Sequence, residues 1–196
     1  MPYDPPLPQH LPAGLRLVDR QRYADKRGWF MELYRHQEND PATGTAANDA
    51  LPHFCQDNVS LTEAPAVIRG MHFQRPPYAQ AKLVTVLAGA ILDVVIDLRP
   101  DSPDFGQPTV LHLAASSDRQ LFVPVGFAHG FCSLQPATLV HYKVSAPYAP
   151  GAEGGILWND PDLSIDWPFT AAEVLVSEKD AAWPRLRDLL PIEWAA

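Results

Sequence analysis

The chain has 196 residues, 46% of them hydrophobic, which suits one compact domain (1–196) with a substantial core. Fifteen basic against 23 acidic residues give a formal net charge of −8, which argues against a general nucleic-acid or anionic-membrane binder, so any phosphate site must be local. The opening MPYDPPLPQHLPAG has neither a basic nor an apolar segment, and no later stretch is long enough to span a bilayer, so a cytoplasmic protein is expected.

Twenty-one prolines and eleven glycines separate short runs of Val, Leu, Ile, Phe and Tyr, the pattern of an all-β domain. Residues 1–14 are proline-rich and read as an arm that packs on a partner subunit. Strands are predicted at LRLVD (15–19) and GWFMELY (28–34), then a surface loop or insertion over 38–53, where Leu51 is the one large apolar residue. Next come AVIRGMHFQ (66–74), KLVTVLAG (82–89) and AILDVVIDL (90–98). The last two are expected to meet at a tight reversal near Ala88-Gly89 as antiparallel partners at the sheet centre. TVLHLAA (109–115), RQLFVPVG (119–126), GFCSLQ (130–135) and ATLVHYKVS (137–145) complete a series spaced by roughly ten residues, as an antiparallel barrel or jelly roll requires. Ser177 with Asp180 three residues on resembles a capping box opening a short helix over 177–190, which Pro184 interrupts. Cys55 and Cys132 lack metal-ligand spacing and read as buried, reduced packing residues, a disulfide being the alternative.

Chemistry concentrates in RGMHFQRPPYAQAKLV, where Arg69, His72, Gln74, Arg75, Gln80 and Lys82 crowd one strand and turn. His72 is a candidate base, although a lone histidine in a sheet is more often a structural hydrogen-bonder. In a regular strand Arg69 and His72 point to opposite faces, so a shared pocket requires a bulge, and Gly70 is its expected place. VPVGFAHGF places His129 in a P-x-G-x-x-H pattern that resembles the second cupin signature. Metal-binding cupins pair that signature with H-x-H and a glutamate, whereas His72 here precedes Phe73 and Gln74, so no metal site is expected.

The segments DNVS, IRGMHFQ, AQAKLV, ILDVVIDLRPDSPDFGQ, VPVGFAHGF, YKVSAPYAP, GILWNDPDLSIDWP and SEKD, in this order, resemble the dTDP-4-dehydrorhamnose 3,5-epimerase family from about Leu15 to Asp188. The resemblance implies a cupin-type barrel and an enzyme that inverts C3 and C5 of dTDP-4-dehydro-6-deoxy-D-glucose beside its C4 ketone, without metal or redox cofactor. Carried over motif by motif, His72 is the base and Asp180 holds its other ring nitrogen, although the local sequence alone reads Asp180 as a helix-capping residue. Lys82 lies near the C4 oxyanion and Tyr142 returns a proton on the opposite face; the plain alternatives are an exposed strand-end lysine and a packed tyrosine. Arg27, Arg69 and Lys179 match phosphate-binding positions, Gln56 and Asn58 add neutral hydrogen bonds, and His129 binds the sugar or supports the base. Tyr148 matches a thymine-stacking aromatic, with Phe30, Glu32 and Glu153 as neighbours.

Three positions depart from the usual family pattern: Val59 replaces a frequent histidine, Ala81 a glycine, and His141 an apolar residue. Val59 and His141 are expected to reshape the pocket, which leaves open a mono-epimerase acting at C3 or C5 alone, or a related nucleotide 4-keto-6-deoxy sugar as substrate. A metal-dependent cupin oxygenase and an inert sugar-binding cupin are the rival classes. The edge strands, the arm and the resemblance all point to a homodimer whose pocket the neighbour's N-terminal strands complete.

Overall fold

The computed structural model describes residues 8–36 and 51–194. From the N-terminus the strands are β1 (Arg16–Asp19), β2 (Arg22–Asp25), β3 (Gly28–Met31), β4 (Gln56–Thr62), β5 (Val67–Gln74), β6 (Lys82–Ala88) and β7 (Ala90–Asp97). They continue as β8 (Pro108–Ala114), β9 (Arg119–Val123), β10 (Phe127–Ser133), β11 (Thr138–Val144), β12 (Glu153–Gly155) and β13 (Leu175–Val176), followed by one helical turn, α1 (Glu178–Ala181).

One sheet runs β1-β9-β6-β11-β4 and the other β12-β5-β10-β7-β8, with β13 parallel to β5. The two face each other as a jelly-roll barrel of the expected cupin type. Between them lie Val84, Val86, Leu121, Val123 and Val140 from the first sheet and Ile91, Val95, Leu111, Phe127 and Phe131 from the second. Fully burying each such side chain contributes about 2 kcal/mol against the entropy of ordering the chain.

β7 is buried along its whole length because both faces are covered. Ile91 and Val95 enter the barrel core, while Val94 and Ile96 pack outward against Ile156, Leu163, Trp167 and Leu186 of the C-terminal segment. A strand buried on both sides reads as a continuous apolar run rather than an alternation.

The junction at Ala88-Gly89 is not a hairpin, since β6 pairs with β9 and β11 whereas β7 pairs with β8 and β10. Gly89 takes a positive φ of 73° with its backbone against Thr138, and the chain there crosses from one sheet to the other. The predicted strand at 28–34 stops at Met31 and pairs only with β2, in a hairpin apart from both main sheets. β10 starts at Phe127, three residues before its predicted start. β2, β4, β12 and β13 escaped sequence reading.

The predicted helix over 177–190 contracts to α1 and a 3-10 turn at Leu186–Asp188, with Pro184 between them. Ser177 caps α1 by accepting the Asp180 backbone N–H at 3.1 Å. Cys132 is buried, which pushes its thiol up to about 12, but Cys55 is exposed and neither is in a disulfide. Residues 1–7 of the predicted arm and 38–50 of the predicted loop lie outside the described residues.

Candidate active site

The inward faces of the two sheets enclose a cleft with two lobes of about 520 and 310 Å³ that share His72, Lys82 and Tyr142. Tyr142 and Lys82 enter from β11 and β6 of the first sheet, and His72 enters from β5 of the second. The larger lobe is lined by Ser60, Arg69, His129, Phe131, Val176 and Asp180, among others. The smaller lobe is lined by Gln56, Asn58, Gln80, Tyr148 and Glu153.

Arg69 and His72 share this cleft because β5 carries one extra residue between them. Phe131 opposes Arg69 and His129 opposes His72, so Gly70 and Met71 face the single Gly130. Gly70 has φ +135°, and a Cβ there would stand 2.5 Å from Gly130 Cα, so both conformation and space require glycine. The bulge expected from the sequence is therefore present at Gly70. It also frees the Gly70 N–H, which donates to Asp180 Oδ2 at 3.2 Å.

Asp180 Oδ1 lies 2.6 Å from His72 Nε2, so its side chain faces the histidine, and of the expected capping box only the Ser177 half forms, through the Asp180 backbone N–H. Burial alone would raise its pKa. The bond and charge of His72, the Gly70 N–H and the Trp183 indole outweigh that and hold the carboxyl below the usual range. An ionised Asp180 only accepts hydrogen bonds, so Nε2 of His72 carries the hydrogen and Nδ1 of the neutral ring keeps its lone pair.

Lys82 Nζ donates to the His72 carbonyl at 3.3 Å. Burial lowers its pKa to about 8, against the opposing charges of Asp93 and Glu153. Burial raises the Tyr142 phenol above its ordinary range, with the Arg69 charge acting the other way. His129 Nε2 meets Asp93 Oδ2 at 2.8 Å in a second, wholly buried pair. Asp93 was missed in the sequence, although an aspartate inside the apolar run AILDVVID is itself a signal of a buried polar partner. No three His, Cys, Asp or Glu side chains among the described residues converge as metal ligands.

At the mouth, Glu153 accepts from Lys179 Nζ at 2.6 Å and from the Tyr148 hydroxyl at 2.9 Å. Burial pushes the Glu153 pKa up, but these two partners outweigh it and keep the group ionised. Gln56 bonds Asn58 Oδ1 at 2.8 Å and accepts the Tyr148 backbone N–H at 3.0 Å. The loop bearing Tyr148 is clamped by buried Gln74, which donates to Tyr78 and Pro147 carbonyls and accepts from Ala149 N, and by Gln80, which donates to the Ala146 carbonyl. Gln74 and Gln80 stood in the polar cluster of the sequence without an assigned role.

Three predicted site residues are not brought to the cleft. Arg27 pairs with Asp25 and Glu32 with Arg35, while Phe30 stands 67% exposed. All three sit on or just after the separate β2–β3 hairpin, whose two strands pair only with each other. Val59 and His141 do not shape the cleft either. They are cross-strand partners on the outer face, where His141 bonds Asp57 at 2.8 Å, while Asn58, Ser60 and Tyr142 between and beside them point inward.

Residues 11–188 match the family model described as dTDP-4-dehydrorhamnose 3,5-epimerase. A dTDP-4-dehydrorhamnose 3,5-epimerase of Salmonella typhimurium is 41% identical over 177 residues, covering 90% of this chain and 93% of that protein. The crystal structure of the Bacillus anthracis enzyme of the same name, with TDP and PPi bound, superposes with TM-score 0.80 at 43% identity over 88% of this chain and 94% of that one. A Legionella pneumophila dTDP-6-deoxy-D-glucose-3,5-epimerase in complex with dTDP-4-keto-L-rhamnose also gives TM-score 0.80, at 37% identity over 92% and 94% of the two chains. With the match spanning nearly the whole barrel and both walls of the cleft, the chain belongs to the dTDP-4-dehydrorhamnose 3,5-epimerase family.

Proposed function

We propose that this isomerase inverts C3 and C5 of dTDP-4-dehydro-6-deoxy-D-glucose, giving dTDP-4-dehydro-L-rhamnose, by acid–base chemistry alone. The observation that carries the reading is the placement of His72 and Tyr142 on opposite walls of one cleft with Lys82 sharing both lobes. A hydrogen on a carbon beside a ketone becomes acidic when the carbonyl oxygen is stabilised as an oxyanion. His72 Nδ1 takes that proton, and the resulting imidazolium is held by Asp180. The electron pair moves onto the C4 oxygen, where the Lys82 ammonium faces it. Tyr142 then donates its phenolic proton to the opposite face of the carbon, so the centre is inverted. Solvent reprotonates the tyrosinate and accepts the proton from His72, and the cycle repeats at the second carbon. No step calls for a metal or a redox group.

Arg69 and Lys179 supply cations for the diphosphate, Gln56 and Asn58 neutral donors, and Tyr148 beside Glu153 a stacking face for thymine. His129 lines the sugar lobe from the second sheet. The working unit is a homodimer in which Arg27, Phe30 and Glu32 serve the cleft of a second copy. The exposure of Tyr23, Trp29 and Phe30 on one small hairpin supports this. The two free thiols suit the reducing cytoplasm.

Incubation with dTDP-4-dehydro-6-deoxy-D-glucose in D₂O, with deuterium counted at C3 and C5 by NMR, tests the proposal. Incorporation at both carbons is expected, incorporation at one alone reduces the enzyme to a mono-epimerase, and incorporation at neither overturns the reading.

A further inference from the structure

Against the His72 ring of the dyad stands Trp183. Its indole meets the His72 ring edge-on at 6.3 Å between centroids and 72° between planes. It is not among the residues that line either lobe. Two features of the backbone hold it in this place. Gly155 is the register partner of His72 on β12, and a Cβ at 155 would sit 2.5 Å from three atoms of the indole. The next residue is anchored too, since Leu157 N donates to the Pro184 carbonyl at 2.8 Å. A glycine opposite the histidine thus makes the slot that the indole fills. Lys179, one residue before Asp180, adds a cation 5.9 Å from the indole centroid.

The indole N–H is buried and has no hydrogen-bond partner. A buried donor without an acceptor is costly, so its position calls for an explanation. The indole is among the groups that hold the Asp180 carboxyl below its usual range, beside the Gly70 N–H on one oxygen and His72 on the other. Hydrogen bonds around a proton-transfer pair commonly tighten only when charge moves during reaction.

We propose that Trp183 is a positioning residue for proton transfer: it closes the back of the His72–Asp180 pair to water and shares the carboxylate's charge through its indole N–H. This rests on His72 being the base. With the indole donor removed, the whole Asp180 charge falls on His72, which makes the protonated ring harder to discharge. The acidic limb of the pH profile then moves to higher pH.

The test is Trp183→Phe, which retains an aromatic cover and removes the N–H. The expected result is a kcat lower by roughly 3- to 10-fold, a KM within about twofold, and an acidic limb of kcat/KM displaced upward by about half a pH unit. Gly155→Ala approaches from the other side, because its methyl displaces the indole, and it is expected to move the same limb in the same direction. If Trp183→Phe does not fold, as judged by its melting curve, Gly155→Ala carries the test. An unchanged kcat and pH profile in the folded variants, or a loss confined to KM, overturns the proposal. His72→Ala assayed alongside separates the two readings: retained deuterium exchange in that variant removes the base assignment itself, whereas lost exchange with a normal Trp183→Phe removes only the role of the indole.

Discussion

His72–Asp180 and His129–Asp93 face each other across β5 and β10, with the two histidines in register, yet they differ in what surrounds them. The His72 side chain is 29% exposed at the cleft, whereas His129 and Asp93 are 8% and 0% exposed. Asp180 takes donors on both oxygens, while Asp93 leaves Oδ1 buried without a partner and lends its charge to Lys82. The same two residue types therefore serve two ends. A histidine at the cavity wall, backed by a carboxylate held ionised, is fit to pick up and release a proton. The more deeply buried pair, although His129 also borders the larger lobe, sets the field in which the neighbouring lysine keeps its own proton.

Mutation of the two pairs should separate these roles, and the largest loss belongs to the open one. His72→Ala is expected to lower kcat/KM by about 10⁴-fold and to abolish deuterium exchange at both carbons. Asp180→Asn keeps the shape but offers an amide where the ring needs a charge, and a loss of about 10³-fold is expected. Equal activity of His129→Ala and His72→Ala in the same exchange assay would erase the distinction between the pairs.

Lys82 joins the two pairs and gives the next effect. Lys82→Met should reduce kcat by about 10²-fold through loss of the oxyanion's cation. In the unmodified enzyme kcat/KM should fall as pH rises through about 8, where Lys82 loses its proton. The stability contribution has the opposite sign. The folded value of about 8 lies below the ordinary 10.5, so the unfolded chain holds that proton more tightly, and this lysine's burden on the fold is relieved as pH rises between those values. Lys82→Met is accordingly expected to melt at a higher temperature at neutral pH while losing turnover, a trade seen where function demands a buried charge.

The smallest effect belongs to Asp93→Asn. About a 10-fold loss in kcat is expected, with the alkaline limb moving to lower pH because the carboxylate that supports the Lys82 ammonium is gone. A limb that stays in place would show that the buried pair does not act through Lys82.

β7, whose side chains bury on both faces, was legible because a long apolar run needs little else to announce it. β4 was not, because Gln56, Asp57 and Asn58 are poor strand formers locally and are held in place by pairing with β11. Pairing partners were harder still. Ala88-Gly89 has the residues of a hairpin, and only the packing of two sheets decides that the chain crosses between them. Within the site, His72, Lys82 and Tyr142 were found through motif resemblance and the demands of the chemistry. Asp93, Trp183 and the Gln74 clamp act through neighbours distant in sequence, so even where a local signal exists, as for Asp93 in its apolar run, it does not reveal the partner. Val59 and His141 taught the converse lesson: a departure in sequence beside a site residue faces the other side of the strand.

The extra residue in β5 bears on anyone who wishes to move this chemistry to another barrel. Copying His72, Lys82, Tyr142 and Asp180 onto a regular strand would turn Arg69 away from His72 and leave Asp180 without its amide donor. What must be transplanted is a stretch of main chain, the close approach of Gly70 to Gly130, and only then the side chains that it aims. The heritable unit of this site is thus partly two residues that have no side chain at all.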